Sequence, residues 1–184
     1  MAIIKLDELS MTTYGELPTL GSKAPEFILT DTKLNTVKLS DFNNEIVIIN
    51  SFPSFDLAIY SDNLTTMMMK NKTRDFIRKF ILKKNINLLF VTMDLPFSLK
   101  RRLLDAERKN KVKKPEHIHL VSDFRTRNFG ANYGLTIMDG IFSGLLARSI
   151  IVLDQEHTVA YSKLLPELTE TPDFESVLSV VKSL

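Results

Sequence analysis

Few residues of this chain have both the type and the spacing that chemistry requires. His117 and His119 alternate along a predicted strand, so their imidazoles share one face and could bind a metal ion. The sequence offers no third ligand at a useful spacing. We therefore expect a structural or surface role for the two histidines and no metal site.

Thiol chemistry is excluded, because the chain contains no cysteine. Disulfides, thiolate metal sites and catalysis by a thiolate are all ruled out on this ground. The sequence also lacks a G-x-S-x-G nucleophile elbow, a phosphate-binding loop and a dinucleotide fingerprint. Its carboxylates are too scattered to indicate an acid–base pair, and we expect no cofactor.

The composition is that of an ordinary globular protein, with 44% hydrophobic and 25% charged residues. A length of 184 residues predicts one domain, 1–184, that buries its own core. The formal net charge of +2 is too small by itself to indicate a nucleic-acid partner. Lys5 interrupts the apolar N-terminal run, and no apolar run approaches the roughly 20 residues that cross a bilayer. We expect a cytoplasmic location and no membrane partner.

Short apolar runs alternate with amphipathic stretches, which predicts an α/β domain. Strands are predicted at 3–6, 11–14, 27–30, 36–39, 46–50, 86–93, 117–121, 146–153 and 158–164, the first two as a hairpin. Helices are predicted at 61–84, 97–109, 125–133 and 174–184, the last with Asp173 as its N-cap. A central mixed sheet flanked by helices, with an N-terminal hairpin, a late hairpin and a closing helix, fits a thioredoxin-like fold.

Two basic clusters lie on and just beyond the two long predicted helices. The first comprises Lys70, Lys72, Arg74, Arg78, Lys79, Lys83 and Lys84, and the second comprises Lys100, Arg101, Arg102, Arg108, Lys109, Lys111, Lys113 and Lys114. Such runs usually form the solvated face of a helix, and we favour that interpretation. A surface for a phosphate backbone or an acidic partner is the alternative. Aromatic residues are sparse among these cations, so a nucleic-acid partner is not expected.

Residues 46–60 have the layout of an active-site segment: an apolar strand runs into a Pro-led loop and then a helix. Together with four other stretches, this segment resembles the bacterial thiol peroxidases, the atypical two-cysteine branch of the peroxiredoxins. The five stretches are Leu20-Gly-Ser-Lys-Ala-Pro-Glu-Phe27, Phe52-Pro-Ser-Phe-Asp56, Asp94-Leu-Pro-Phe97, Gly144-Leu-Leu-Ala-Arg148 and Thr169-Glu-Thr-Pro-Asp-Phe174. Each stretch is short, and their order and spacing along nearly the whole chain carry the resemblance.

The resemblance implies a vestigial site in this chain. Pro53 matches the proline that shields the family's active site, and Arg148 matches the arginine that orients peroxide and stabilises the thiolate. Leu57 stands where the family has a peroxide-binding threonine. Tyr60 replaces the peroxidatic cysteine, and Leu103 replaces the resolving cysteine. The loss of three reactive groups indicates a natural pseudoenzyme rather than a laboratory variant.

A tyrosine cannot take over the chemistry of the missing thiolate. The pKa of a phenol is about 10 in water, so little phenolate forms near neutral pH. Oxygen also lacks the reversible sulfenic-acid step that sulfur provides. We therefore expect no catalytic residue and no cysteine-based peroxidase activity.

Arg148 leaves three interpretations open. Its guanidinium could be satisfied by a carboxylate or by backbone carbonyls. It could instead form an anion pocket with Ser54 and with the helix that begins near Tyr60, for phosphate, sulfate or a small carboxylate. In the third interpretation, the hydroxyl of Tyr60 folds back onto the guanidinium and closes the site.

Three functions follow from these observations. The one we favour is a non-catalytic binding or interaction protein, in a homodimer that the resemblance implies. The second is an antioxidant role of the thiol peroxidase type, retained through Tyr60 and Arg148 or assigned by homology. The third is a basic-surface adaptor for nucleic acid or an acidic partner.

Overall fold

The computed structural model describes residues 1–57, 86–110 and 114–184. The strands are β1 (Ile3–Leu6), β2 (Leu9–Thr12), β3 (Ile28–Asp31), β4 (Thr36–Lys38), β5 (Ile46–Ser51), β6 (Ile86–Thr92), β7 (Ile118–Ser122), β8 (Ser149–Leu153) and β9 (Val159–Leu164). The α-helices are α1 (Pro96–Asn110), α2 (Asn128–Asn132) and α3 (Phe174–Ser183), with 3-10 turns at Leu39–Phe42 and Gly140–Phe142. The predicted helix 61–84 and the first basic cluster lie outside the described residues.

Seven strands form one mixed sheet in the order β4-β3-β7-β6-β5-β8-β9. The three central strands β5, β6 and β7 are parallel, whereas β8, β9, β3 and β4 join antiparallel. Every residue of β5 and of β6 is buried. Continuous apolar runs of this kind are typical of parallel strands that are covered on both faces. The predicted α/β architecture with a central mixed sheet is therefore confirmed.

Each face of the sheet carries its own apolar layer, because successive strand residues point to opposite sides. On one face, Ile48, Leu88 and Phe90 of the sheet pack with the buried residues of α1 and α3. On the other face, Val47 and Leu89 pack with the N-terminal hairpin and with the aromatic side chains around α2. The site described below lies where β5, β6 and β7 end.

The predicted N-terminal hairpin is present, and the closing helix follows the sequence prediction closely. β1 and β2 pair antiparallel, with Leu6 opposite Leu9 across a two-residue turn at Asp7 and Glu8. Asp7 has a positive φ of 53°, which this tight turn requires. At the other end of the chain, the carboxylate of Asp173 accepts hydrogen bonds from the backbone of Glu175 and Ser176, so the predicted N-cap is confirmed.

Three predicted elements are shifted or shortened. The second strand of the hairpin is Leu9–Thr12, because the following residues pair with the segment around Ile137 instead. The predicted strand 146–153 begins only at Ser149, since Leu146 forms an isolated bridge with Thr136. The predicted helix 125–133 shrinks to α2.

α2 is short because residue 127 adopts a left-handed conformation. The φ of Arg127 is 56°, and this residue occupies the N-cap position of α2. A left-handed residue cannot continue an α-helix, so residues 124–126 form a turn instead, closed by the N–H of Arg127, which donates to the carbonyl of Asp123. Within the described ranges, none of the helices combines the length and apolar character that a bilayer crossing requires.

Candidate functional site

The carboxyl ends of the three parallel strands meet at one edge of the sheet, which we call the carboxyl edge. Residues 52–57 form a loop after β5, and the backbone N–H of Phe52 donates to the carbonyl of Val91 over 3.2 Å. The N–H of Asp123, after β7, donates to the carbonyl of Thr92 over 2.9 Å. This edge is where α/β proteins usually bind ligands.

Asp94 holds the loop of residues 52–57 in place. Its carboxylate accepts a hydrogen bond from the hydroxyl of Ser54 over 2.5 Å, from the N–H of Phe55 over 2.8 Å and from the hydroxyl of Thr92 over 3.1 Å. The N–H of Asp56 in turn donates to the oxygen of Ser54 over 3.0 Å. Ser54 is a predicted anion ligand, but its single hydroxyl proton is already used in the hydrogen bond to Asp94.

Asp56 connects the same loop to α1. Arg102 Nε lies 2.7 Å from Asp56 Oδ1, and Arg102 Nη2 donates to the carbonyl of Phe55 over 2.6 Å. The hydroxyl of Ser98 donates to Asp56 Oδ2 over 3.1 Å. The exposed guanidinium of Arg101 lies further away, 3.7 Å from Asp56 Oδ2. Sequence reasoning placed Arg102 on a solvated face, whereas the structure turns this side chain toward the loop.

An apolar cluster lies beneath these polar contacts. The rings of Phe52 and Phe55 meet edge to face with their centroids 4.7 Å apart, and both contact Phe90. Leu57 and Leu103 pack against the same core cluster and are partly buried. The two leucines that replace the threonine and the resolving cysteine, according to the resemblance, thus belong to one apolar layer.

Arg148 is buried, with 3% of its surface exposed. Its Nη1 donates to the carbonyl of Leu168 over 3.0 Å, which is one of the backbone contacts that the sequence interpretation allowed. The residues on either side of Arg148 are fixed to β5, because the hydroxyl of Ser51 donates to the carbonyl of Ala147 and lies 2.8 Å from that of Ser149. Tyr60, the predicted partner of Arg148, lies outside the described residues.

Strand alternation gives Arg148 a definite side of the sheet. Residue 148 has the same parity as Ile150 and Val152, which belong to the apolar layer that contains α1. Phe52 and Phe55 lie in that layer too. Pro53, which follows Phe52 in the sequence, is also buried. Continuation of the β8 alternation places the start of the Arg148 side chain on the face where the loop of residues 52–57 packs, and its Nη1 donates to the carbonyl of Leu168, whose side chain belongs to the other apolar layer.

The opposite, amino edge of the sheet carries a second polar network. The amide nitrogen of Asn87 donates to Glu45 Oε2, so its oxygen faces Nε2 of His119, 2.9 Å away. This arrangement makes Nε2 of His119 the donor. Phe42 meets the imidazole edge to face at 5.3 Å, and burial lowers the pKa of His119 to about 4.

The predicted pairing of His117 with His119 on one strand is wrong, because β7 begins at Ile118 and His117 precedes it. The backbone of residues 115–118 forms a turn here, in which the N–H of Ile118 donates to the carbonyl of Pro115. In the part of the chain that the structure describes, no three metal-binding side chains come together.

Asp123 is a buried carboxylate at the carboxyl edge that the sequence analysis did not select. It accepts hydrogen bonds from the N–H groups of Phe129 (3.1 Å) and Gly130 (2.8 Å), and thereby caps α2. Burial raises the pKa of Asp123 to about 6, against the lowering effect of these N–H donors. Only its position, two residues before the predicted helix 125–133, could have suggested a capping role.

Comparisons with known proteins agree with this architecture. The family model described as Redoxin matches residues 19–178. The thiol peroxidase of Mycobacterium tuberculosis is 35% identical over 181 residues, which span 98% of this chain and 99% of that protein. The thiol peroxidase of Corynebacterium glutamicum is 33% identical over 92% of each chain.

Solved structures give the same result. A peroxiredoxin-like protein from Aquifex aeolicus has a TM-score of 0.82 and 26% identity, over 100% of this chain and 97% of that one. A thiol peroxidase from Chromobacterium violaceum has a TM-score of 0.80 and 25% identity, over 98% and 95% of the two chains. These matches confirm the predicted thioredoxin-like fold. This chain therefore belongs to the Redoxin family, as a relative of the thiol peroxidases.

Proposed function

We propose that this chain is a pseudoenzyme of the thiol peroxidase type and acts as a non-catalytic binding or interaction protein. One observation carries the proposal: a chain that is 35% identical to a thiol peroxidase over nearly its whole length contains no cysteine. Thiol-dependent reduction of a peroxide needs a thiolate as the nucleophile. Without a cysteine, the protein has no thiolate that peroxide could oxidise to a sulfenic acid and that a second thiol could then regenerate.

The surroundings of the vestigial site support this proposal. Arg148 is buried, and the loop that contains Pro53 is held by Asp94 and Arg102. Leu57 and Leu103 contribute to core packing. The frame of the site is thus stabilised by contacts that do not depend on the missing reactive groups.

A coupled peroxidase assay tests the loss of activity. Purified protein is mixed with thioredoxin, thioredoxin reductase, NADPH and either hydrogen peroxide or an organic hydroperoxide. We expect NADPH oxidation at the rate of a blank without the protein. Peroxide turnover above that blank contradicts the proposal and favours a retained antioxidant role.

Reintroduction of a thiol tests whether the frame of the site persists. We expect the thiol of a Tyr60→Cys variant to react with hydrogen peroxide at least about tenfold faster than that of Ile141→Cys, an exposed control outside both basic clusters, because cationic surroundings activate a thiol. Equal rates would show that position 60 has no activating environment. Circular dichroism of both variants checks that each is folded.

We also propose that Arg148 and Tyr60 bind a small anion such as phosphate or sulfate. Ser54 suits this role less well, since its hydroxyl already donates to Asp94. Phosphate should raise the melting temperature above that in chloride of equal ionic strength, by an amount that grows with the logarithm of its concentration. Tyr60→Phe should reduce the rise and the control Tyr161→Phe should not. An equal melting temperature in both salts contradicts the pocket.

Finally, we propose a single-domain, cytoplasmic homodimer, as the resemblance implies. Leu95 and Phe124 are both substantially exposed and follow β6 and β7 at the carboxyl edge, where they could contribute to a dimer contact. Sedimentation equilibrium should give twice the chain mass of 21.0 kDa. A monomer at micromolar concentration contradicts the dimer.

A further inference from the structure

The outward face of α1 carries two exposed apolar side chains on one line. Leu99, Leu103 and Ala106 turn inward to the core, whereas 67% of Phe97 and 41% of Leu104 remain exposed. The two residues are seven positions apart, so they lie on the same side of the helix about 10 Å from each other. This is the spacing at which one helix presents apolar contacts to another.

Exposed cations surround these two side chains. Lys100, Arg101, Arg108 and Lys109 are all exposed, against a single exposed carboxylate, Asp105. They belong to a strongly basic part of the chain: residues 58–127 hold seventeen of the 24 Lys and Arg but only seven of the 22 Asp and Glu. The basic charge is therefore concentrated in one stretch of the sequence, of which α1 is a part.

Other members of the second basic cluster make contacts within the protein itself. Arg102 binds Asp56 and the carbonyl of Phe55, and Lys114 Nζ donates to the carbonyls of Pro115 and Ile118. Burial lowers the pKa of Lys114. Of the exposed cations, Arg101 lies 3.7 Å from Asp56 and donates a long hydrogen bond, 3.5 Å, to the hydroxyl of Ser98, and such surface contacts are worth little. Among the described residues, the exposed cations of α1 thus make no strong contact that would compete with a partner.

We propose that the outward face of α1, formed by Phe97, Lys100, Arg101, Leu104 and Arg108, docks an acidic amphipathic helix of another protein. Two apolar residues of the partner, seven positions apart, would pack on Phe97 and Leu104. Glutamates or aspartates flanking them would meet Arg101 and Arg108, which are also seven positions apart. An apolar centre with a charged rim is the usual arrangement of such an interface.

Asp105 favours a polypeptide partner over a uniform polyanion. Its carboxylate is exposed next to Leu104, within the basic face, where it repels a phosphate chain or an anionic lipid surface. A helix can place a lysine, an arginine or a neutral residue opposite this carboxylate, which then helps to fix the register. Nucleic-acid phosphates would also make no use of Leu104.

Fluorescence anisotropy of labelled probes tests the proposal. The main probe is a synthetic helical peptide with a leucine every seven residues and glutamates beside each leucine. The comparison probes are the same peptide with alanine in place of leucine, an oligodeoxythymidine, and vesicles of phosphatidylglycerol and phosphatidylcholine. We expect the first peptide to bind most tightly, and the alanine peptide to bind about tenfold or more weakly.

Matched variants locate the binding surface. Phe97→Ala and Arg101→Glu should each weaken peptide binding about tenfold, whereas Ile141→Ala and Lys33→Glu should not, although Ile141 is as exposed as Phe97 at 68%. Several outcomes overturn the proposal: no peptide binding, tighter binding of the oligonucleotide or the vesicles, or equal effects of the paired variants. A shift from dimer to monomer in Phe97→Ala also overturns it, because this face would then join two copies of the chain.

Discussion

The two edges of the central sheet each carry a polar network, but the two networks stabilise different parts of the structure. At the carboxyl edge, the charged groups of Asp94, Asp56 and Arg102 bind backbone and side-chain groups of an irregular loop. At the amino edge, Glu45, Asn87 and His119 link one side chain to the next across three neighbouring strands. The first network fixes a loop, and the second joins strands that are already paired.

This difference indicates which part of the protein depends on polar side chains for its conformation. β5, β6 and β7 are held by their backbone ladders, so the amino-edge network adds to a structure that exists without it. The loop of residues 52–57 has no such ladder, and its conformation depends on Asp94 and Arg102. The carboxyl edge should therefore respond more strongly to the loss of a single side chain.

The largest effect is expected for Asp94→Ala. This change leaves the N–H of Phe55 and the hydroxyls of Ser54 and Thr92 without their acceptor, which should cost about 3–4 kcal/mol in the free energy of unfolding. Urea denaturation followed by circular dichroism measures it. Asp94→Asn keeps one acceptor oxygen and should cost clearly less. A loss below about 1 kcal/mol for Asp94→Ala would remove the distinction between the two edges.

At the amino edge, the expected effect depends on pH and involves His119. The pKa of its imidazole is about 4 in the folded protein and 6.5 in the unfolded chain. Neutral His119 therefore contributes stability that is present above pH 6.5 and is lost as the pH falls to 4. The loss should reach about 2–3 kcal/mol in the wild type. His119→Gln should flatten the pH profile, and an unchanged profile would contradict the assignment.

Asp123, at the carboxyl edge, should give the opposite pH dependence of stability. Its carboxyl pKa is about 6 in the folded protein against an ordinary value of 3.8, so the folded state retains its proton longer. This contribution to stability is present below pH 3.8 and is lost as the pH rises through 6, by about 2 kcal/mol. Measured from pH 4 to 6.5, Asp123→Asn should gain stability relative to the wild type as the pH increases. The reverse trend would mean that the N–H donors outweigh burial.

The smallest expected effect on stability is the difference between substitutions of two neighbouring arginines on α1. Arg102→Met breaks the contacts to Asp56 and Phe55, and should cost about 1 kcal/mol, because the guanidinium is one-third exposed. Arg101→Met should cost no more than about 0.3 kcal/mol, since its pair with Asp56 is exposed and longer. Chemical denaturation of both variants separates these values. Equal costs would show that the loop is not held through Arg102.

Local sequence signals were enough to predict the elements whose residues show a regular apolar pattern or a capping residue. The runs 46–50 and 86–93 are mostly apolar, and they form two central strands. Asp173 precedes a clear amphipathic helix and caps it. The α/β order and the presence of an N-terminal hairpin were likewise predictable from the sequence, whereas the two-residue turn at Asp7 and Glu8 was not.

Contacts between distant residues could not be read in this way. The motifs at 52–56 and 94–97 were both recognised, but nothing in the sequence says that Asp94 accepts from Ser54 and Phe55, about forty positions away. Arg102 looks like its neighbours in a basic run, and only the helix orientation turns it toward Asp56. His117 lies outside its strand because a turn at Pro115 delays the start of β7.

Leu57 and Leu103 make the loss of the reactive groups difficult to reverse. A cysteine at position 103 would be smaller than the leucine now packed there, and a threonine at 57 would bring a hydroxyl into an apolar layer. Each reversion alone should cost about 1–2 kcal/mol before any chemistry is regained. A single reversion would therefore lower the stability of the fold before it restored a complete reactive site.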